Sequence, residues 1–201
     1  MPTLVPGANT PIPHTPCQVT VTSQNASRFG VEMGCVWIAM DESRRATTSP
    51  AYLHESKDWA ALTVESEKSH VWTLDLANVF SQNQTQYLQL IVYAYQDASV
   101  IAPAVEVNDI SIKVSNDIDY TFHTPERHIK ASIVLEIYQR NGQYKCRALA
   151  ETSSQSLANF AERLHISLDA RYPNNMTTGN VLHAIPDNRR PRPQPGDTWT
   201  G

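Results

Sequence analysis

The dipeptide Asn141-Gly142 constrains this chain more than any other feature. Both residues tolerate positive φ, which a two-residue type I′ turn requires, and both flanks are rich in Ile, Val, Leu and Tyr. Ala131 to Glu151 is therefore predicted to be a β-hairpin with a countable register. Counting outward from the turn places Arg140 opposite Gln143, Tyr138 opposite Lys145, Ile137 opposite Cys146, and Glu136 opposite Arg147. Leu135 then faces Ala148, and Ile133 faces Ala150. Ile133, Leu135, Ile137, Cys146, Ala148 and Ala150 share one face, whereas Glu136, Tyr138, Lys145 and Arg147 share the other. Such a division predicts a sheet buried on one side, with Glu136 and Arg147 as an open surface pair.

The remaining periodicity is also mostly that of strands. Gln18 to Thr22 alternates and marks the first expected strand, after a segment punctuated by Pro6-Gly7, Pro11, Pro13 and Pro16. Phe29 to Met40 alternates at first and becomes apolar at both parities, and Asp41 to Arg45 should turn the chain. Ala51 to His54, Trp59 to Val64 and Val71 to Leu76 are further strand candidates, with the polar run Glu65 to His70 as a loop. Leu88 to Tyr95 has the β-branched and aromatic content of a mid-sheet strand. Val105 to Val114 reads as a half-buried strand, with Asp117 to His123 as its antiparallel partner. Beyond the hairpin, Leu157, Phe160, Ala161 and Leu164 recur at helical spacing behind Ser153 and Ser154, either of which suits an N-cap. The fold expected is mostly β: an antiparallel β-sandwich over residues 1–170, closed by a C-terminal helix. Residues 171–201, with little apolar content and prolines at 173, 186, 191, 193 and 195, read as a flexible tail or linker.

Composition narrows the function classes. The 201 residues are 41% hydrophobic, enough for a core, and the formal charge is -4. Arg189, Arg190 and Arg192 outweigh Asp187 and Asp197 in the tail, which makes the body more acidic still and a poor match for nucleic acid. Arg44-Arg45 and Arg189-Arg190 are too small to read as phosphate footprints, and Pro191 to Pro195 favours a polyproline spacer. The proline-broken N-terminus lacks a basic n-region, and the apolar run around Leu88 to Tyr95 is too short to span a bilayer as a helix. Cys17, Cys35 and Cys146 are odd in number and form no C-x-x-C pair, as expected of reduced thiols in a cytoplasmic protein.

Chemistry-bearing motifs are sparse. The seven histidines lack ligand spacing and are expected at the surface, and no serine stands in a G-x-S-x-G elbow. Asp41-Glu42, Glu65 with Glu67, and Asn116-Asp117 with Asp119 could offer oxygens to a hard cation, although none has the density of a calcium loop. No catalytic residue and no cofactor-binding residue is expected.

Three stretches together resemble the TerD/TerA-like family of bacterial tellurium-resistance and stress proteins. LVPGANTPIP, with Leu4, Gly7, Asn9 and Pro13, resembles the family's leading segment, and VEVNDISIKV its Asn-bearing strand at Asn108. The hairpin Ala131 to Glu151, followed by SLANFAERLHISL, resembles its final hairpin and C-terminal helix. The resemblance implies a β-sandwich, a cytoplasmic stress-response role with other proteins as partners, and calcium held by acidic loops in many members. The family's paired aspartates would fall at Val31 to Cys35, where Glu32 alone is acidic, and its acidic loop near Val64 to His70, where Glu65 and Glu67 remain. Glu32, Glu65, Glu67 and Asn108 are thus the candidate metal positions, and the expectation is a domain that folds without calcium. A different class of function, a small-molecule or carbohydrate-binding sandwich, would use Trp37, Trp59, Trp72 and Tyr93 as stacking surfaces.

Overall fold

The computed structural model describes residues 3–13, 16–24, 29, 33–48, 51–52, 57–66, 68–94, 107–124, 129–153, 168–169 and 181–182. The strands are β1 (Thr3–Leu4), β2 (Asn9–Pro11), β3 (Cys17–Ser23), β4 (Met33–Met40), β5 (Ala51–Tyr52), β6 (Ala60–Glu65) and β7 (Ser69–Leu74). A short helix, α1 (Leu76–Phe80), precedes β8 (Tyr87–Ala94), β9 (Ile110–Val114), β10 (Ile118–Phe122), β11 (Ala131–Arg140), β12 (Gln143–Ser153), β13 (Leu168–Asp169) and β14 (Val181–Leu182). The protein is mostly β. One sheet runs β1-β10-β9-β3-β7-β6, a second runs β2-β12-β11-β8-β4-β5, and β13 pairs with β14.

The hairpin begins as its turn dictates. Asn141 and Gly142 have φ of 54° and 72°, and the expected register holds from Arg140 opposite Gln143 back to Leu135 opposite Ala148. It then slips: Ile133 lies opposite Glu151 rather than Ala150, because β12 advances three residues while β11 advances two. Against β8 the same place on β11 carries an extra residue, since Ile133 pairs with Ile91 and Leu135 with Leu90. The bulge puts the consecutive residues Val134 and Leu135 into the core cluster, leaves Ile133 buried outside it, and exposes Ala150. A β-bulge between pairing residues is not encoded in alternation, so the count from the turn could not foresee it.

One hydrophobic cluster draws on both sheets: Val19, Trp72, Ile112 and Phe122 from the first, and Trp37, Leu90, Leu135 and Cys146 from the second. Tyr120 joins the two. Its Oη on β10 donates to the carbonyl of Leu149 on β12, at 2.6 Å. Leu149 is one of the two bulge residues without a partner on β11, so the phenol meets a carbonyl that the ladder leaves over.

The second sheet departs from one-sided burial. Every residue of β4 is buried, as are Leu88 to Ala94 of β8 and Ala131 to Tyr138 of β11. Glu136, expected on an open face, is 1% exposed. The apolar content of β4 and β8 at both parities, Cys35 and Trp37 beside Val36 and Ile38, is the mark of a strand covered on two sides. Gly34 belongs to this layer. A Cβ there would stand 2.3 Å from Cζ of Tyr93, so the ring occupies the place of a side chain.

Other expectations shift in smaller ways. The proline-rich start is not a bare lead-in, because β1 pairs parallel with β10 and β2 pairs antiparallel with β12, one edge strand for each sheet. Gly7, with φ of 88°, turns the chain between them. The loop expected over Glu65 to His70 is shorter, because Glu65 ends β6 and Ser69 and His70 begin β7, with Glu65 opposite His70 and Ser66 N–H donating to the Ser69 carbonyl. Helix α1 was not anticipated. Asp75 caps it by accepting from Asn78 N–H, and Leu76 and Val79 enter the core. Strand β9 starts at Ile110 rather than Val105, and β10 returns beside it through Ser115 and Asn116, both at positive φ. The helix expected over Leu157 to Leu164 lies outside the described residues, and Ser153 is the last residue of β12. Within 171–201 the described residues are Val181 and Leu182, paired to Asp169 and Leu168.

Two substitutions separate the core from the inter-sheet link. Leu135→Ala removes fully buried volume and should cost about 2–5 kcal/mol. Tyr120→Phe removes one hydrogen bond and should cost about 0.5–1.5 kcal/mol. Denaturant melts check the order; equal losses would show that the link, rather than the packing, governs this end of the core.

Candidate functional site

Of the positions singled out for metal, Glu65 and Asn108 are described, and both lie at one end of the first sheet. Ser23 N–H donates to the Lys68 carbonyl at 2.8 Å and Gln24 N–H to that of Asp109 at 2.9 Å, tying the end of β3 to the β6–β7 turn and the start of β9. Phe29 bridges to Met33, and its ring lies 4.4 Å from that of His70. Asn108 stands beside Asp109, half-buried, with a buried Oδ1 that has no hydrogen-bond partner among the described residues. Glu65 occupies the last position of β6. Glu32 and Glu67 lie outside the described residues.

Rings and thioethers fill this end. Met33, where the resemblance would place an aspartate, is fully buried in the core cluster, as is Cys35. His70 is also fully buried, which corrects the expectation that the histidines lie at the surface. It alternates with Trp72 and Leu74 on the inward face of β7, a pattern visible in the sequence but masked by the polar residues around it. The Trp72 ring meets His70 edge-on at 6.5 Å, and neither imidazole nitrogen has a hydrogen-bond partner among the described residues. Desolvation pulls its pKa down to about 4, so the ring is neutral at physiological pH. His123 is the contrary case, exposed and paired with the Asp109 carboxylate. His14, His54, His128, His165 and His183 lie outside the described residues.

The acidic turns are structural. Asp41 Oδ1 accepts the N–H groups of Ser43 and Arg45, at 2.8 and 3.0 Å, and Asp119 lies 3.8 Å from Lys113. Among the described residues no three His, Cys, Asp or Glu side chains gather as a metal site would need. Trp37, Trp59, Trp72 and Tyr93, the proposed stacking surfaces, are 0–4% exposed; the three indoles join the core cluster, and the Tyr93 ring lies over Gly34. Cys17, Cys35 and Cys146 are free and buried. Desolvation raises the thiol pKa of Cys17 to about 11 and of Cys146 to about 12, and moves that of Cys35 in the same direction.

A second constellation lies on the other face of the second sheet. The ladder places Ile38, Gln89, Glu136 and Arg147 in one cross-strand row, with Met40, Tyr87, Tyr138 and Lys145 in the next. Arg44, at a φ of 66° in the turn after β4, reaches over these rows. Its Nη1 is ion-paired to Glu136 Oε2, and its guanidinium lies 3.6 Å from the centroid of the Tyr87 ring. Gln89 Nε2 donates to the same Oε2 at 2.7 Å. Arg147 Nη1 is 3.6 Å from Glu136 Oε1, and its guanidinium stands 5.0 Å above Tyr138. Glu136 with Arg147 was legible as a pair. Arg44, brought from 92 residues away, was not.

Comparison with known proteins adds a fold. No protein-family model matches the chain, and no curated protein matches it. A crystal structure of a protein of unknown function, SAV2460, superposes with a TM-score of 0.52 at 13% identity. The match covers 72% of this chain and 93% of that one. At this identity the likeness is one of fold alone. No helix among the described residues is long and apolar enough to cross a membrane.

The buried imidazole predicts acid sensitivity. The unfolded chain takes up a proton on His70 near pH 6.5 and the folded chain only near pH 4, so acidification favours unfolding across that window. His70→Phe, which fits beside Phe29 and Trp72, should flatten the fall in melting temperature between pH 6.5 and 4 relative to wild type. Parallel profiles for the two proteins would contradict the neutral, walled-in imidazole.

Proposed function

We propose that this chain is a non-enzymatic antiparallel β-sandwich of the TerD-like kind, acting in a bacterial stress or tellurite response through contacts with other proteins. Two sheets that share one hydrophobic cluster support the sandwich, as does the hairpin with its Tyr144-Lys145-Cys146-Arg147-Ala148 strand. The observation that carries the contact-based reading is the aromatic packing around Met33, one of the positions at which the resemblance would place an aspartate. Phe29, His70 and Met33 stand there in place of a carboxylate cage, and calcium takes six to eight oxygens. The protonated, buried thiols and the neutral His70 also leave these groups without the activation that a nucleophile or general base needs. The ligand-platform alternative is disfavoured because its indoles are buried.

Two measurements test this reading. Calorimetric titration with calcium, beside thermal melts in chelator, should show no micromolar binding and no rise in melting temperature. Either effect would overturn the calcium-independent scaffold. Disruption of the gene in its own host should raise sensitivity to tellurite, with rescue by the wild-type gene; unchanged sensitivity would remove the stress-response assignment while leaving the fold intact.

A further inference from the structure

Arg44, Glu136 and Arg147 form a charged group on the face of the second sheet turned away from the hydrophobic cluster. Glu136 is 1% exposed, yet it is shared by two guanidiniums whose side chains are 43% and 37% exposed. One carboxylate between two arginines leaves a positive charge over. Lys145, across from Tyr138 in the adjoining row, adds another. In the turn that carries Arg44, Asp41 has its Oδ1 taken up by two backbone amides, and Glu42 is exposed.

The geometry favours a second acceptor. Each guanidinium carries five N–H donors in a planar fork, presents Nη1 to Glu136 and lies over a tyrosine ring. Remaining edge donors are held in fixed planes by that stacking. Arg147 is not closed onto its counter-ion. Its Nη1 stands 3.6 Å from Oε1, beyond hydrogen-bond range, and that buried oxygen has no hydrogen-bond partner among the described residues. A guanidinium left short of its carboxylate can bridge to an oxyanion on its other side. Paired arginine forks match the oxygens of a phosphoryl group.

We propose that Arg44 and Arg147, positioned by Glu136, clamp a phosphate monoester or inorganic phosphate on this face of the second sheet. A carboxylate ligand, with two oxygens, offers two such forks fewer acceptors than a phosphoryl group does.

Calorimetric titration of the full chain with inorganic phosphate, and separately with phenyl phosphate and acetate, tests the clamp. Both phosphates should bind, and acetate should bind at least about tenfold more weakly. Stronger binding of phenyl phosphate than of inorganic phosphate would assign the site to a monoester, and the reverse to the free ion. Arg44→Lys and Arg147→Lys keep the charge and the fold but lose the fork, and each should weaken phosphate by about tenfold. Lys113→Gln, on β9 of the first sheet, should leave affinity unchanged. Absence of phosphate binding to the wild-type chain, or wild-type affinity in both lysine variants, would overturn the proposal.

Discussion

The fold turns on a bulge between β11 and β12 and the hydrogen bond that fills it. A regular hairpin would carry its alternation unbroken from Asn141-Gly142 to Ala131 and Glu151. The slip between Leu135 and Ile133 instead lets two consecutive residues, Val134 and Leu135, face the core, and it releases the Leu149 carbonyl from the ladder. Tyr120 reaches that carbonyl from the opposite sheet. A buried acceptor left unpaired costs about 1–3 kcal/mol, so the bulge and the phenol stabilise each other. The burial that raises the Tyr120 pKa to about 12 also keeps the hydroxyl a donor at any physiological pH.

Burial on both sides of the second sheet sets the electrostatics of its outer face. A lone carboxylate inside such a layer would lose several kcal/mol of hydration. Glu136 meets this with Gln89 from the neighbouring strand and with two arginines whose heads remain partly in solvent. Desolvation thus falls mainly on the acid, while the cations keep much of their water. His70 handles polarity differently, since neither of its nitrogens has a hydrogen-bond partner among the described residues and the ring remains neutral.

Much of this architecture was legible from short-range chemistry. The type I′ turn gave five of the hairpin's paired positions around it, and the mixed parity of β4 and β8 carried the sign of a mid-sheet layer. What escaped the sequence is what depends on distant partners. Alternation assigns Glu136 to a face but does not say whether that face is covered, and nothing in Arg44-Arg45 announces a contact with β11. His70 was hidden by its polar neighbours, although it keeps the spacing of Trp72 and Leu74. The short α1 has one capping residue and two buried positions, too little for a periodic signal. The end of the sheets where Asn108 and His70 lie was readable as the absence of carboxylates at particular positions. Its aromatic closure required the fold.

The outer strands of both sheets have a bearing on how this protein meets others. β1 and β5 are two residues long, β2 ends in Pro11, and β6 is bent by a register shift between Leu62 and Val64. Each device interrupts the row of unpaired amides and carbonyls that an incoming chain would extend. Strand addition and edge-to-edge polymerisation are therefore poor routes onto this molecule. A partner is steered toward side-chain surfaces instead, where recognition is set by shape and charge rather than by a generic peptide backbone.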